Sequence, residues 1–263
     1  MNYIPNSILL SIGPINIYYY GLILILAIII SGILCRRTLL KKNYLSNKKI
    51  EDLFFYLIIF GLLGARLFHV FFFEWDYYSN NIFDIIKIWN GGLAIQGAII
   101  SGLLTLLIFC KNNKLNFFNL SDNITPFLVL GQAIGRWGNY FNQELFGKPT
   151  NNFYGIYIEL ENRVKGFEEF SYFHPTFFYE SILNLILFII LINLLKIKKV
   201  GLTTLIYLLG YSLIRFSLEY IRIDDAPLIF GIRAPQMFSL WIIIIIIFII
   251  YNKYFQSLSR NKK

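Results

Sequence analysis

Two short stretches put charge where an apolar chain would be expected to avoid it. In GQAIGRWGNYFNQELFG (131–147), Gln132, Arg136, Asn139 and Gln143 stand at i, i+4, i+7 and i+11, which on a 3.6-residue helix is one face. Gly131, Gly135 and Gly138 offer close-packing positions beside it. In YSLIRFSLEYIR (211–222), Arg215, Glu219 and Arg222 recur at i, i+4 and i+7. An arginine at the centre of a membrane helix costs roughly 2.5–3.5 kcal/mol on insertion scales, so it faces a partner or a cavity. Guanidinium groups bind phosphate by paired, charge-assisted hydrogen bonds, and the anion offsets part of their desolvation. The two stripes therefore predict an anion site, and the anion available at that depth of a bilayer is a phospholipid headgroup. The plainer alternative is that Arg215 and Glu219 pair with each other, or with Glu144, and simply lock helices together.

Further polar marks accompany the stripes. Tyr20 and Gly21 sit in the first apolar run, WNGGLAIQG (89–97) carries Asn90 and Gln96, and HPTFFYE (174–180) carries His174, Tyr179 and Glu180. The tyrosines and Trp89 also suit an interfacial aromatic belt. Arg66, in GLLGARLFHV, lies apart and is expected to close an interhelical contact, with His69 a packed or interfacial histidine.

The elements that must hold these residues are membrane helices. Of 263 residues, 57% are hydrophobic and 15% charged, and the mean hydropathy is +0.59, which reads as one polytopic all-α membrane domain over residues 1–263. With about 20 helical residues needed to cross roughly 30 Å of hydrocarbon, seven transmembrane helices are expected at Ile15–Cys35, Leu53–Phe73, Leu93–Cys110, Ile124–Tyr140, Phe177–Leu195, Leu202–Glu219 and Met237–Tyr251. Residues 141–175 form the longest interval between spans, the place for a small extracytoplasmic head; within it NFYGIYIEL suggests a strand and GKPTNN a turn.

The net charge of +9 does not point to nucleic acid, because the basic residues alternate by loop. Arg36, Arg37, Lys41, Lys42, Lys48 and Lys49 follow span 1, Lys111 and Lys114 span 3, Lys196, Lys198 and Lys199 span 5, and Lys253, Arg260, Lys262 and Lys263 span 7. The positive-inside rule then puts the N-terminus outside and the C-terminus in the cytoplasm. No positive charge precedes Arg36, so the first span does not read as a cleavable signal peptide. Cys35 and Cys110 are expected as reduced thiols, and the Asn123–Thr125 triplet as a chance match to a glycosylation acceptor. No residue cluster has metal-ligand spacing, and no cofactor is expected. The aspartates read as loop residues, which argues against a metal-dependent lipid transferase.

The ordered motifs resemble those of the prolipoprotein diacylglyceryl transferase family: SIGPINIYYYGL, LGARL, WNGGLAIQG, GRWGNYFNQELFG, HPTFFYES, RFSLEYIR and APQMFS, covering nearly the whole chain. The resemblance implies transfer of the diacylglyceryl group of phosphatidylglycerol to the lipobox cysteine of a prolipoprotein signal peptide, with a thioether formed and glycerol phosphate released, in the bacterial inner membrane. It implies that Arg136 binds and polarises the lipid phosphate, with Asn139, Asn142 and Glu144 shaping the same site and Arg222 nearby. Arg215 would be a second cation oriented by Glu219, and Tyr20 matches a residue the family needs. At Gln96 many family members have His. An amide is no general base, so either a base there is dispensable, or Glu144, Glu219 or a tyrosine takes the proton, or activity is reduced. The chain's own Gly32–Cys35 is not a lipobox, because Leu34 replaces the small residue. The competing class is a secondary transporter or lipid flippase, whose pathways also use intramembrane Arg and Glu.

Overall fold

In hydrocarbon every backbone polar group must be satisfied internally, and for a chain of apolar runs this means helices. The computed structural model describes residues 5, 7–13 and 15–255; Pro14 and the tail residues Arg260, Lys262 and Lys263, expected on the cytoplasmic side, lie outside the described residues. Strands β1 (Ile8–Ile12) and β2 (Ile15–Tyr18) pair antiparallel and lead into α1 (Tyr19–Lys41). The first helix therefore starts four residues later than expected from hydropathy and runs on past Cys35. Ile15 and Ile17 alternate with polar or aromatic residues after a turn at Gly13, a pattern that suits a hairpin strand better than a helix.

The chain divides into two units, one made of residues up to Cys35 with Ser121 onward, the other of Arg36–Leu120. In the second unit α2 (Asn47–Phe72) starts at Ser46, whose side chain accepts from the Lys49 amide. After α3 (Trp75–Asn80) come two 3-10 turns, Ile82–Ile86 and Ile88–Asn90, and then α4 (Ile95–Asn112). Helices α2 and α4 pack together. Gly64 and Gly97 allow it: a Cβ on Gly97 would stand 2.1 Å from the Gly64 carbonyl oxygen.

In the first unit α5 (Phe117–Phe141, of which the part from Ser121 belongs here) is longer than the expected span and carries Asp122 and Pro126 within it. The expectation that the aspartates lie in loops fails here, and again at Asp52 in α2. Asp122 has a capping task instead: its carboxylate accepts from the amides of Gly201 (2.6 Å) and Thr204 (2.8 Å) and from the Thr204 hydroxyl (2.7 Å). It thus satisfies the N-terminus of a helix later in the chain, where an anion is favoured. Residues 142–175 carry a two-residue pairing of β3 (Ile156–Tyr157) with β4 (Tyr172–Phe173) over a small core of Phe146, Ile158 and Phe173. The expected strand in NFYGIYIEL is limited to those two residues. Then follow α6 (Thr176–Leu194), α7 (Leu202–Leu218), the hairpin β5 (Leu228–Ile229) and β6 (Ile232–Arg233), and α8 (Ala234–Ile250), which continues as a π-helical turn. Val129, Leu187, Leu191 and Tyr207 join α5, α6 and α7 in one buried cluster.

Among the described residues, five helices are long and apolar enough to cross a membrane: α1, α2, α4, α6 and α8 with its extension. Their outward faces carry large apolar side chains such as Ile28, Phe55, Ile99, Ile189 and Phe248, a surface that costs little in lipid and much in water. The protein is thus mostly helical, with the apolar exterior of an all-α membrane protein. Helix α7 has only 17 residues, and α5, at 25, is too polar along its length to meet the same criterion. Cys35 and Cys110 are buried and free, and Asn123 and Thr125 are buried, which closes the triplet to a glycan.

Arg66 closes a helix-to-loop contact rather than one between helices. Only 4% exposed, it donates to the carbonyls of Ile85 (2.8 Å), Gly91 (2.7 Å), Gly92 (3.0 Å), Asp84 (2.6 Å) and Lys87 (3.4 Å), and its guanidinium lies 5.0 Å from the Tyr78 ring centre. The Asp84 carboxylate is engaged by Lys87 and Tyr77, so Arg66 is satisfied mainly by backbone dipoles. Gly91 and Gly92 take positive φ (87° and 73°) as the loop wraps around it. Lysine has three donors where arginine has five. Arg66→Lys is therefore expected to destabilise the purified protein by about 2–4 kcal/mol, as buried carbonyls lose their donors, and a denaturation midpoint equal to that of the native protein would contradict this account.

Candidate active site

The stripe on α5 is real as far as Asn139 and then divides. Gln132 donates to the Tyr207 hydroxyl at 3.1 Å. Arg136 Nη2 reaches Glu180 Oε1 at 2.6 Å and its Nη1 reaches Asn139 Oδ1 at 3.4 Å. Asn139, 5% exposed, passes the contact on from its Nδ2 to Glu144 Oε1 at 2.7 Å. Gln143 lies beyond the helix end, with φ 50°, and leaves the stripe. Its amide donates to the Pro5 carbonyl and Glu159 and accepts from the Glu159 amide, so it staples the segment after α5 instead of facing an anion.

Tyr20, in the first turn of α1, comes against the same helix. A Cβ on Gly138 would stand 2.6 Å from Cδ2 of the Tyr20 ring, so only glycine lets the ring approach this closely. The tyrosine hydroxyl lies within electrostatic range of both Arg136 and Glu144. Tyr20, Asn142 and Glu144 also line a cavity of about 990 Å³, whose lining includes Gly21, Leu22 and Ile25 of α1. The lining mixes polar side chains with apolar ones such as Leu22 and Ile25, and the volume is in the range of small-ligand sites.

The second stripe is shorter than expected, because α7 ends at Leu218 and Arg222 is carried back by a turn. The turn is fixed by an antiparallel bridge between Arg222 and Gly147. Arg215 Nη2 meets Glu219 Oε2 at 3.0 Å, so the simple pairing of these two residues is found. Glu219 is 1% exposed and also accepts from Arg233 Nε at 2.8 Å, with Arg222 at 4.0 Å. Arg222 itself holds Asp224 at 2.7 Å. Pairing does not exhaust the cations. Arg215 Nη1 is buried without a hydrogen-bond partner among the described residues, and the Arg136 side chain remains 21% exposed.

Arg136 contacts Glu180 of α6 directly, and Glu180 and Tyr211 lie within electrostatic range of both Arg136 and Arg215. Gln96 belongs to the second unit, in the first turn of α4, with an exposed side chain. Among the described residues no cluster of His, Cys, Asp and Glu could hold a metal. Sequence reasoning left Glu180, Tyr211 and Arg233 out of the site. For Glu180 a signal existed, an acid inside the apolar run TFFYESIL; Arg233 stands in a hairpin and carries no such mark.

The family model for prolipoprotein diacylglyceryl transferase matches residues 7–252. Proteins named phosphatidylglycerol–prolipoprotein diacylglyceryl transferase are similar over most of the chain. That of Trichormus variabilis is 43% identical over 243 residues, 90% of this chain and 85% of the relative. The Synechocystis protein is 40% identical over 92% of this chain and 87% of its own length, and the Staphylococcus aureus protein 38% identical over 96% and 90%. On both grounds, the chain belongs to the prolipoprotein diacylglyceryl transferase family.

Proposed function

We propose that this protein transfers the diacylglyceryl group of phosphatidylglycerol to the lipobox cysteine thiol of prolipoproteins, forming a thioether and releasing glycerol phosphate. The observation that carries the reading is a pair of arginines on α5 and α7 of one unit: Arg136, tied to Glu180 with its side chain 21% exposed, and Arg215, whose Nη1 is buried without a hydrogen-bond partner among the described residues. When sulfur attacks the glycerol carbon, phosphate leaves, and fixed cations stabilise the charge that develops on its oxygens in a site with little water. Arg136 and Arg215 are the phosphate ligands on this reading, and Glu219 orients Arg215. Asn139 orients Glu144, Asn142 and Tyr20 face the lipid from the adjoining cavity, and Arg222 supports the cation cluster. Gln96 holds a lipid or peptide carbonyl by hydrogen bonds. The apolar side chains that α1 gives the cavity lining suit an acyl chain.

On the same reading all seven long apolar or stripe-bearing helices cross the bacterial inner membrane. Helix α7 is apolar but only 17 residues long, and the polar residues of α5 turn to α6 and α7 through Arg136, Glu180 and Gln132. The basic residues after α1, α4, α6 and α8 then mark the cytoplasmic side, and residues 141–175 form the extracytoplasmic head, the side on which a signal peptide presents its lipobox. Membership of the transferase family favours this reading over a transporter or flippase.

Purified protein incubated with labelled phosphatidylglycerol and a lipobox peptide is expected to add the diacylglyceryl mass to the cysteine; absence of that mass gain rejects the function. Arg136→Ala is expected to reduce transfer by about 100-fold or more, the scale of a lost transition-state donor, while the protein still inserts, and near-native transfer would remove Arg136 from the phosphate. Gln96→His is expected to leave the rate close to native. A gain on the order of 100-fold, the reach of a general base, would instead mean that proton removal limits this protein.

A further inference from the structure

Glu180 occupies an unusual place in this site. Its side chain is 3% exposed whereas that of its partner Arg136 is 21% exposed, so the carboxylate stands behind the guanidinium on the closed side. The contact is short, 2.6 Å, and α6 is pinned to α5 at the next residue, where the Ser181 hydroxyl donates to the Ala133 carbonyl at 2.8 Å. From α7, Arg215 and Tyr211 lie within electrostatic range of the pair. Glu219, in contrast, is held by both Arg215 and Arg233. Glu180 is thus the carboxylate placed to compete with an incoming anion for Arg136.

The need for a competitor follows from the charges of substrate and product. A phosphodiester carries one negative charge. In the transfer, a sulfur lone pair forms the C–S bond, the C–O bond to phosphate breaks with its electron pair on oxygen, and the thiol proton passes to that phosphate or to water. The released glycerol phosphate is a monoester with a second pKa near 6, carrying about −1.5 to −2 at neutral pH. Two fixed guanidinium groups in a water-poor site therefore hold product more tightly than substrate, and such a site would clog.

We propose that Glu180 is a positioning residue that acts through Arg136. It holds the guanidinium in place while the site is empty, yields to the substrate phosphate, and recaptures Arg136 as the more highly charged glycerol phosphate leaves. This rests on Arg136 as a phosphate ligand, proposed above.

The test uses the full-length protein with labelled phosphatidylglycerol, a lipobox peptide and glycerol phosphate as inhibitor, comparing native protein with Glu180→Gln and Glu180→Asp. The amide keeps an acceptor for Arg136 but removes the charge. For Glu180→Gln, inhibition by glycerol phosphate is expected at about tenfold lower concentration, the worth of one charge-assisted contact. The apparent KM for the lipid should not rise, and the steady-state rate should fall more than the first turnover. Glu180→Asp should keep inhibition close to native, and serves as the measure if the amide variant does not accumulate as folded protein. Unchanged inhibition in Glu180→Gln, with first turnover and steady state slowed equally, would overturn the proposal; so would tighter inhibition in Glu180→Asp equal to that expected of the amide. A native protein that transfers label while glycerol phosphate fails to compete with lipid would instead remove phosphate from Arg136, and this role with it.

Discussion

The contact on which the first unit depends is the 2.6 Å pair between Arg136 and Glu180. A guanidinium in the interior of a membrane bundle must be compensated, and a carboxylate 2% exposed must be too. Neither is stable there alone, so the pair fixes which faces of α5 and α6 meet. The Ser181 bond to Ala133 and the cluster of Val129, Leu187 and Tyr207 then follow the register that the pair sets. The same rule repeats at the end of α7, where Glu219 is compensated by Arg215 and Arg233 and so draws the hairpin before α8 onto the helix end. Charge compensation thus builds the site and the fold around it together.

Arg66 in the second unit meets the same demand by other means and ends with a different capacity. Five backbone carbonyls and an aromatic ring take up its donors. A cation satisfied by dipoles of its own fold has little left to offer a ligand. Arg215 keeps a buried Nη1 without a partner among the described residues, and Arg136 keeps an exposed side. On the proposed function, what separates Arg66 from Arg215 is an unfilled donor, not depth or burial.

The helices are legible in the sequence because hydropathy is local: a helix overlaps each of the seven expected apolar runs, with ends shifted by up to seven residues, and five of these helices are long and apolar enough to cross a membrane. The stripes on α5 and α7 were legible for the same reason, since i, i+4 spacing is a property of one helix. Their ends were not, because helical periodicity carries no sign of where a chain turns: Gln143 and Arg222 both lie beyond the helix that was expected to carry them. The partners Glu180 and Arg233 were invisible as partners because pairing is a relation between segments. The expected first span took in the strand at Ile15–Tyr18 because its alternation, Ile-Asn-Ile-Tyr, is only four residues long and runs directly into the apolar sequence of α1.

The proposed chemistry does not require a general base at Gln96. An ordinary thiol has a pKa of about 8.5, so near neutrality a few per cent is already thiolate. Beside a phosphodiester that thiolate brings the total negative charge of the reactants to two, and after transfer the monoester dianion again carries two. The charge therefore moves from sulfur to phosphate oxygen without changing in amount. Cations that bind the whole assembly equally tightly would leave the transfer step untouched, since only interactions stronger in the transition state accelerate it. Guanidinium groups set at the phosphate end of that displacement do more. They favour thiolate formation weakly, from a distance, and stabilise the oxygen that receives the charge strongly, at contact. On this account the direction of catalysis lies in where Arg136 and Arg215 stand along the path of the charge.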